Sequence, residues 1–429
     1  MLFKNIGIID ENFEYRENMY VGTNCHRIVY IDSKPPEDES VFFETYDGTG
    51  KVLMPGFYNA HGHSPMSLMR GYGENLPLDR WLNEKIFPFE DKLYGDAVYW
   101  ATLMGMAESM RYGIVSTSDM YYFIDDMVRA VSVSGLKTNV SRAVSCFGEP
   151  VNESYRLKEM IQSIEMYYGI EDGRILVDAC AHAEYTNTPE MIKEIADVAK
   201  HYDVRNHIHL SETESETKGC IEKYGKTPTE LFNDAGMFDQ PCTAAHCVWV
   251  NEHDMDILRE KGVTVASNPC SNMKLASGIC SVPKMYEKGI NVAIGTDSVA
   301  SNNNLNFFEE MKLFALCGKV TSMDPSVMTP RQVLYSATRA GALSQGREDC
   351  GLVKEGYKAD LIVVDVSGPN MCPNDDMANA LIYSADGKDV CLTMVDGMTV
   401  YRDGEYTFID IEKTCYETEK AKQEILKSL

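Results

Sequence analysis

Between about residues 52 and 300, eight short β-rich segments alternate with longer stretches whose apolar positions recur at helical spacing. The short segments end near NAHGH (59–63), STSDM (116–120), SRAVS (141–145) and CAHAE (180–184). Four more end near HIHLSE (207–212), TAAHC (243–247), ASNPC (266–270) and IGTDS (294–298). The longer stretches, such as DAVYWATLMGMAESMRYG and TPEMIKEIADVAKHY, are amphipathic and close near glycine or a charged turn. Eight alternations of this length predict an α/β fold, a (β/α)8 TIM-type barrel of parallel strands. In such a barrel the chemistry gathers at the carboxyl ends of the strands.

The two ends of the chain follow another pattern. KNIGIID, RIVYID and VFFETYDG are short alternating strands with turn punctuation, and the same style returns after about residue 350 in ADLIVVDVS and VCLTMVDGMTVYRDGEYTFI. Neither end is long enough to bury a good core alone. The expected division is therefore a composite β-sandwich domain from residues 1–54 and 350–429, beside a barrel of residues 55–349. The last stretch, IEKTCYETEKAKQEILKSL, reads as a solvated surface helix attached to that small domain.

Composition narrows the function. A hydrophobic content of 44% over 429 residues is ordinary for a globular chain with a sizeable core. The net charge of −25 opposes binding to nucleic acid or to an anionic membrane surface. No apolar run reaches the roughly 18 residues of a membrane span, and MLFKNIGIIDENF lacks the apolar core of a signal peptide. The 13 cysteines are scattered without a CxxC pair, which reads as reduced thiols in a cytoplasmic protein. HExxH, GxxxxGK[ST], GxGxxG and the H-x-E…P-C-x-x-C pattern are all missing.

Five of the nine histidines, His61, His63, His182, His209 and His246, stand at predicted strand ends. His61 and His63 are two apart, so on an extended strand both point to one face and form a pincer. His209 and Asp297 complete a mixed nitrogen and oxygen set that suits zinc and leaves a position for water. Zinc held by neutral imidazoles lowers the pKa of bound water towards neutrality. Asp297 can both ligate and accept a proton, Glu212 stands three residues after His209 where a carboxyl can reach the pocket, and His246 can hold the attacking hydroxide. Plainer alternatives exist: Glu212 as a solvated loop carboxylate, His246 as a satisfied core histidine, Asp297 as a helix N-cap. His207 shares a strand face with His209 and offers a second pincer; the HxxE spacing favours His209 as ligand and leaves His207 to the barrel interior. His26, His201 and His253 lie in surface-like segments. No lysine ends the fourth strand in ILVDACAHAE, so a carbamate-bridged pair of metals is not expected and a mononuclear centre is.

With these residues in hand, the chain resembles the amidohydrolase superfamily, and within it the branch of 5-methylthioadenosine/S-adenosylhomocysteine deaminases and related chlorohydrolases. The resemblance runs from LMPGFYNAHGHSPMSLMRGYGENLPLDRWL to LVKEGYKADLIVVD, through HLSETESE, AHCVWVNEHDMDIL, NPCSNMKLASG and GTDSVASNNNLNFFEEM. It implies His61, His63, His209 and Asp297 as ligands of one Zn2+ per subunit, with Fe2+ or Mn2+ acceptable to the same set. It implies Glu212, His246 and Asp297 as the catalytic groups. It further implies that Glu90 binds ribose hydroxyls and that His182, Arg142 and Arg156 contact substrate. The implied reaction is hydrolytic deamination of an adenosine-type purine nucleoside by a homo-oligomer. The rivals are a guanine or s-triazine aminohydrolase on the same scaffold, and a non-catalytic barrel. Two departures stand out: HGHSPM replaces the usual HTHAPM, and Glu184 replaces a usual proline two residues after His182. A carboxylate there is expected to change the charge near the ribose or 5′ substituent.

Overall fold

The computed structural model describes residues 1–146 and 148–429. Eight parallel strands form the barrel in chain order: Phe57–Gly62, Ile114–Tyr121, Lys137–Arg142, Ile175–Ala181, Asn206–Leu210, Cys242–His246, Thr264–Ser267 and Val292–Ile294. All eight coincide with the segments read from the sequence. They are buried almost throughout, polar positions included, because both faces are covered, one by helices and one by the barrel interior. Ile114–Tyr121, for example, is buried at every position.

The helices between them follow from their caps and stripes. Pro189–Tyr202 begins at Thr188, whose side chain accepts from the Met191 N–H, with proline at the first helical position. Its buried stripe is Met191, Ile192, Ile195, Ala196, Val198 and Ala199.

Register then sets the site. Between the fifth and sixth strands His209 lies beside Ala245 and Leu210 beside His246, so their ends are level. The ring closes between its last and first strands, where Gly62 bridges Asp297 in parallel. The His61 carbonyl accepts from both Thr296 N (3.1 Å) and Asp297 N (3.0 Å). This seam requires glycine at Gly295, because an added Cβ would lie 2.2 Å from Asn268 Oδ1 and 3.0 Å from the His61 backbone nitrogen.

The amino end of the barrel is plugged. After the helix Arg339–Ser344, Gln345 Nε2 donates to the Asn59 carbonyl (3.0 Å), and Arg347 donates to Asn139 Oδ1 (3.2 Å) and the Arg174 carbonyl (2.9 Å). Asn139 in turn donates to Asp178 at 3.0 Å.

The chain ends meet in one nine-stranded sheet. Its two halves join where Lys51–Pro55 pairs antiparallel with Leu361–Asp365. Phe3, Ile6, Ile8, Val21 and Leu53 from one end share a core with Leu361, Val363, Leu392 and Met394 from the other, separate from the main barrel core. Lys137 ties this sheet to the barrel: its buried ammonium pairs with Asp360 and, at 2.9 Å, with Asp396. The terminal helix, Ile411–Ser428, departs from expectation. It buries Thr414, Thr418, Ala421 and Ile425, and Thr418 Oγ1 donates to the Trp100 carbonyl on the barrel helix Gly95–Arg111 (3.2 Å). Only its outer face is solvated, and the partner of its inner face is the barrel.

Candidate metal centre and substrate cavity

The strand ends bring three imidazoles and a carboxylate to one point. Asp297 Oδ1 lies 3.2 Å from His63 Nε2 and 3.6 Å from His61 Nε2. The His61 and His209 rings are 4.8 Å apart, and the His63 and His209 rings 5.4 Å. Ligand atoms of His61, His63 and Asp297 lie within 4.8 Å of one another, as do those of His61, His209 and His246.

The other ring nitrogens explain the aim. His63 Nδ1 faces the Met120 carbonyl (2.5 Å) and His209 Nδ1 the His182 carbonyl (2.8 Å). A carbonyl only accepts, so each Nδ1 carries the hydrogen and each Nε2 presents a lone pair inward. A lone pair on His63 Nε2 then faces a carboxylate oxygen at 3.2 Å, an arrangement that a cation between them satisfies. His61 Nε2 is buried with no hydrogen-bond partner among the described residues, as a ligand nitrogen would be. These residues fit a zinc-type ion.

Charge agrees with that donor set. Burial lowers His61 to about 3 and His209 well below its usual value, so both are neutral imidazoles. Burial alone would lower His63 and raise Asp297, yet their mutual contact raises His63 and holds Asp297 well below the ordinary range: the pair attracts a positive charge, proton or cation, into the gap between them.

Partners that the sequence reading missed hold these groups. Ser271 Oγ (2.5 Å) and Ser301 Oγ (3.0 Å) both donate to Asp297 Oδ2, and the Ser298 N–H donates to Oδ1 (2.8 Å). His246 Nδ1 sits 2.8 Å from Asn272 Oδ1. His207 is interior, as expected, yet its Nε2 lies 2.9 Å from His61 Nδ1, so it orients a ligand. The only available signal was a polar cluster, NPCSN, at the end of the seventh strand. Ser211, His246 and Asp297 have left-handed backbones (φ 49°, 75° and 57°), a costly conformation for residues with a Cβ that gathers at functional strand ends.

A cavity of about 620 Å³ opens over the centre. His63, His209, His246, Glu212 and Asp297 form its floor, and Met66, Leu78, Trp81, Leu82 and Phe87 supply apolar wall. Glu212 is buried; burial raises its carboxyl to about 7 against the facing His246, whose Nε2 is 3.8 Å away. Glu90 and His182 line the same cavity. Burial lifts Glu90 to about 7 and lowers His182 to about 4.

Arg142 and Arg156 do not line this cavity. They line a neighbouring one that shares Phe87, Glu90 and Tyr122 with it. Arg142 pairs with Glu159 (2.8 Å) and stacks over Tyr122 at 4.9 Å; Arg156 pairs with Glu149 at 3.3 Å. Glu184 overturns the expectation of a changed charge near substrate. It is outside the cavity lining, 2% exposed, and turned towards Glu216.

Comparison with known proteins agrees with this geometry. Residues 52–400 match the model of the amidohydrolase family. The chain is 43% identical over 381 residues to a 5-methylthioadenosine/S-adenosylhomocysteine deaminase of Dictyoglomus thermophilum, covering 89% of each chain. It is 41% identical over 381 residues to a 5′-deoxyadenosine deaminase of Methanosarcina mazei, covering 89% of this chain and 88% of that one. Among solved structures, it resembles an adenosine deaminase of Xanthomonas campestris with bound zinc: TM-score 0.92, 27% identity, 99% and 98% covered.

Proposed function

The chain belongs to the amidohydrolase family, and on that premise we propose that it is a hydrolytic deaminase of adenosine-type nucleosides. It replaces the 6-amino group with oxygen and releases ammonia. The observation that carries the reading is the buried Glu212 carboxyl, raised to about 7 by burial and so half-protonated at neutrality, on the floor of a cavity shared with His63, His209, His246 and Asp297.

His61, His63, His209 and Asp297 would hold one Zn2+, and Fe2+ or Mn2+ would accept the same ligands. When bound, such an ion supplies Lewis acidity that brings water to deprotonation near neutral pH. The chain's own groups do the rest. Asp297 accepts the proton of the attacking water and later returns it to the departing amino nitrogen, while Ser271 and Ser301 steady its Oδ2. Glu212 delivers its proton to the ring nitrogen next to the reacting carbon and is recharged by the second proton of the water, which leaves the new oxygen as it becomes a carbonyl. His246, oriented by Asn272, aligns the water. Glu90 takes the ribose hydroxyls and His182 packs beside the base. The apolar wall of Met66, Leu78, Trp81 and Leu82 favours a 5′ group such as methylthio, with S-adenosylhomocysteine and adenosine as the other candidates. Arg142 and Arg156 belong to the same proposal as contacts reached through the adjoining cavity.

Absorbance change and ammonia release over a panel of adenosine, 5′-methylthioadenosine, S-adenosylhomocysteine, guanine and s-triazines test the reading. Turnover of the adenosine-type compounds supports it; turnover confined to guanine or triazines moves the chain to the sister chemistry. The same proposal has the protein act on small molecules in the cytoplasm, as a homo-oligomer. Its 13 free cysteines suit a reducing compartment, and light scattering would measure the assembly. No helix among the described residues is long and apolar enough to cross a membrane.

A further inference from the structure

Beside the cavity, next to a second one that shares Leu78, Leu82, Phe87, Tyr185 and Leu275 with it and is lined by Glu216, two carboxyl groups meet in the interior. Glu184 follows the barrel strand Ile175–Ala181, and Glu216 lies on the helix Glu214–Tyr224. Both are buried, at 2% and 8% exposure. Glu216 is well supplied with donors: Oε1 accepts from Ser211 N (2.7 Å), and Oε2 from Glu212 N (2.7 Å) and Thr213 N (3.3 Å). These bonds hold the turn that carries Glu212. Neither Glu184 oxygen meets hydrogen-bond geometry with any described residue; the N–H groups of Glu184 itself and Tyr185 favour its charge only weakly, and it faces Glu216.

Two charges in contact there would repel strongly, because the interior screens them far less than water does. Besides Glu216, the groups facing Glu184 are Tyr185 on its own loop and Cys220 and Lys223 on the opposing helix. Cys220 is buried, and Lys223 is exposed with its ammonium over Tyr224 at 4.7 Å. One proton settles the conflict. It resides on Glu184, because three N–H donors already favour the charged form of Glu216.

We propose that Glu184 is a protonated carboxylic acid whose O–H donates to the Glu216 carboxylate, and that this shared proton positions the Ser211–Thr213 turn beneath Glu212. Glu184 is thus a positioning residue that acts through Glu216. The catalytic consequence rests on the proposed role of Glu212; the shared proton itself does not. Burial, then the Glu216 charge, raises Glu184 to about 10, so the arrangement persists through neutrality and fails in alkali. The same proton couples to stability. An unfolded Glu184 titrates near 4.5, so the native state binds the extra proton between that value and about 10, and stability falls as pH climbs across that window.

Infrared difference spectra of the full chain, wild type against Glu184→Gln at about pH 9, test the proton directly. The wild type should show a protonated-carboxyl carbonyl stretch that Glu184→Gln replaces with an amide band; loss of a carboxylate stretch instead would overturn the proposal whether or not any substrate turns over. Kinetics test the positioning. The Gln amide donates the same bond without ionising, so kcat should stay within about twofold of wild type and lose its alkaline fall. Glu184→Leu, which donates nothing, should lower kcat about tenfold with bound zinc unchanged. An alkaline limb identical in wild type and Glu184→Gln would refute the positioning role. Failure of the wild type on every nucleoside would instead refute the deaminase reading, and the spectra would still decide the proton.

Discussion

The two ends of the barrel use polar side chains in opposite ways. At the amino end, buried charges are spent on each other: Lys137 on Asp360 and Asp396, Arg347 on backbone carbonyls and Asn139, and Asn139 on Asp178. At the carboxyl end, imidazoles gather with their outer nitrogens anchored and their inner lone pairs convergent. His61 Nε2 has no protein partner there, and Ser211, His246 and Asp297 take left-handed backbones. The difference teaches where to look for chemistry. Burial and polarity are common to both ends, and buried atoms without a hydrogen-bond partner occur at both, Arg347 Nε among them; what distinguishes the carboxyl end among the described residues is that several donor atoms converge on one point.

Substitutions at each end should therefore fail in different ways. The largest effect is expected for Asp297→Asn, which removes a ligand and a proton acceptor together. Its kcat should fall by about 10⁴-fold or more while the folded barrel persists by circular dichroism. Turnover within about tenfold of wild type would end the site assignment. Glu212→Gln comes next: a loss of about 10²–10⁴-fold in kcat with the metal content of the protein unchanged, read by elemental analysis alongside rates. Lys137→Met works at the other end. Leaving Asp360 buried and unpaired should cost about 3–5 kcal/mol in urea unfolding, with kcat/KM of the folded protein unchanged. A Lys137→Met variant that kept its stability and lost activity would erase the distinction between the ends. The smallest effect sharpens it: Thr188→Ala removes a helix cap on the catalytic rim but outside the cavity. It should lower stability by about 1 kcal/mol and leave kcat alone, showing that position on the rim does not by itself confer a role.

Much of the site was legible before folding. His61 and His63 share a face because strand side chains alternate with period two, a purely local rule. Asp297 follows the apolar run VAI and Gly295, so its place at a strand end was readable as well. What supports these groups was not. Ser271 reaches Asp297 from a short helix beyond the preceding strand, and no spacing rule links that serine to the carboxylate; Ser301 stands four residues after Asp297, but the turn between them decides that it meets Oδ2. The arginines were legible only through the resemblance, which implies substrate contact; their pairing with Glu159 and Glu149 beside an adjoining cavity was not. Glu184 read as a new charge near substrate, whereas the fold turns it inward against Glu216.

The sequence by itself determined the alternation of strands and helices, the pairing of the chain ends, and which residue types stand at the strand ends. Those follow from periodicity and caps, which act over a few residues. Only the tertiary structure decided which lone pairs meet, which arginines are already engaged, and which carboxyls must share a proton. Each of those depends on distances of a few ångströms between segments brought together by barrel closure. Coulombic and hydrogen-bond energies at such range change sign with a side chain's direction, and no local pattern records that direction.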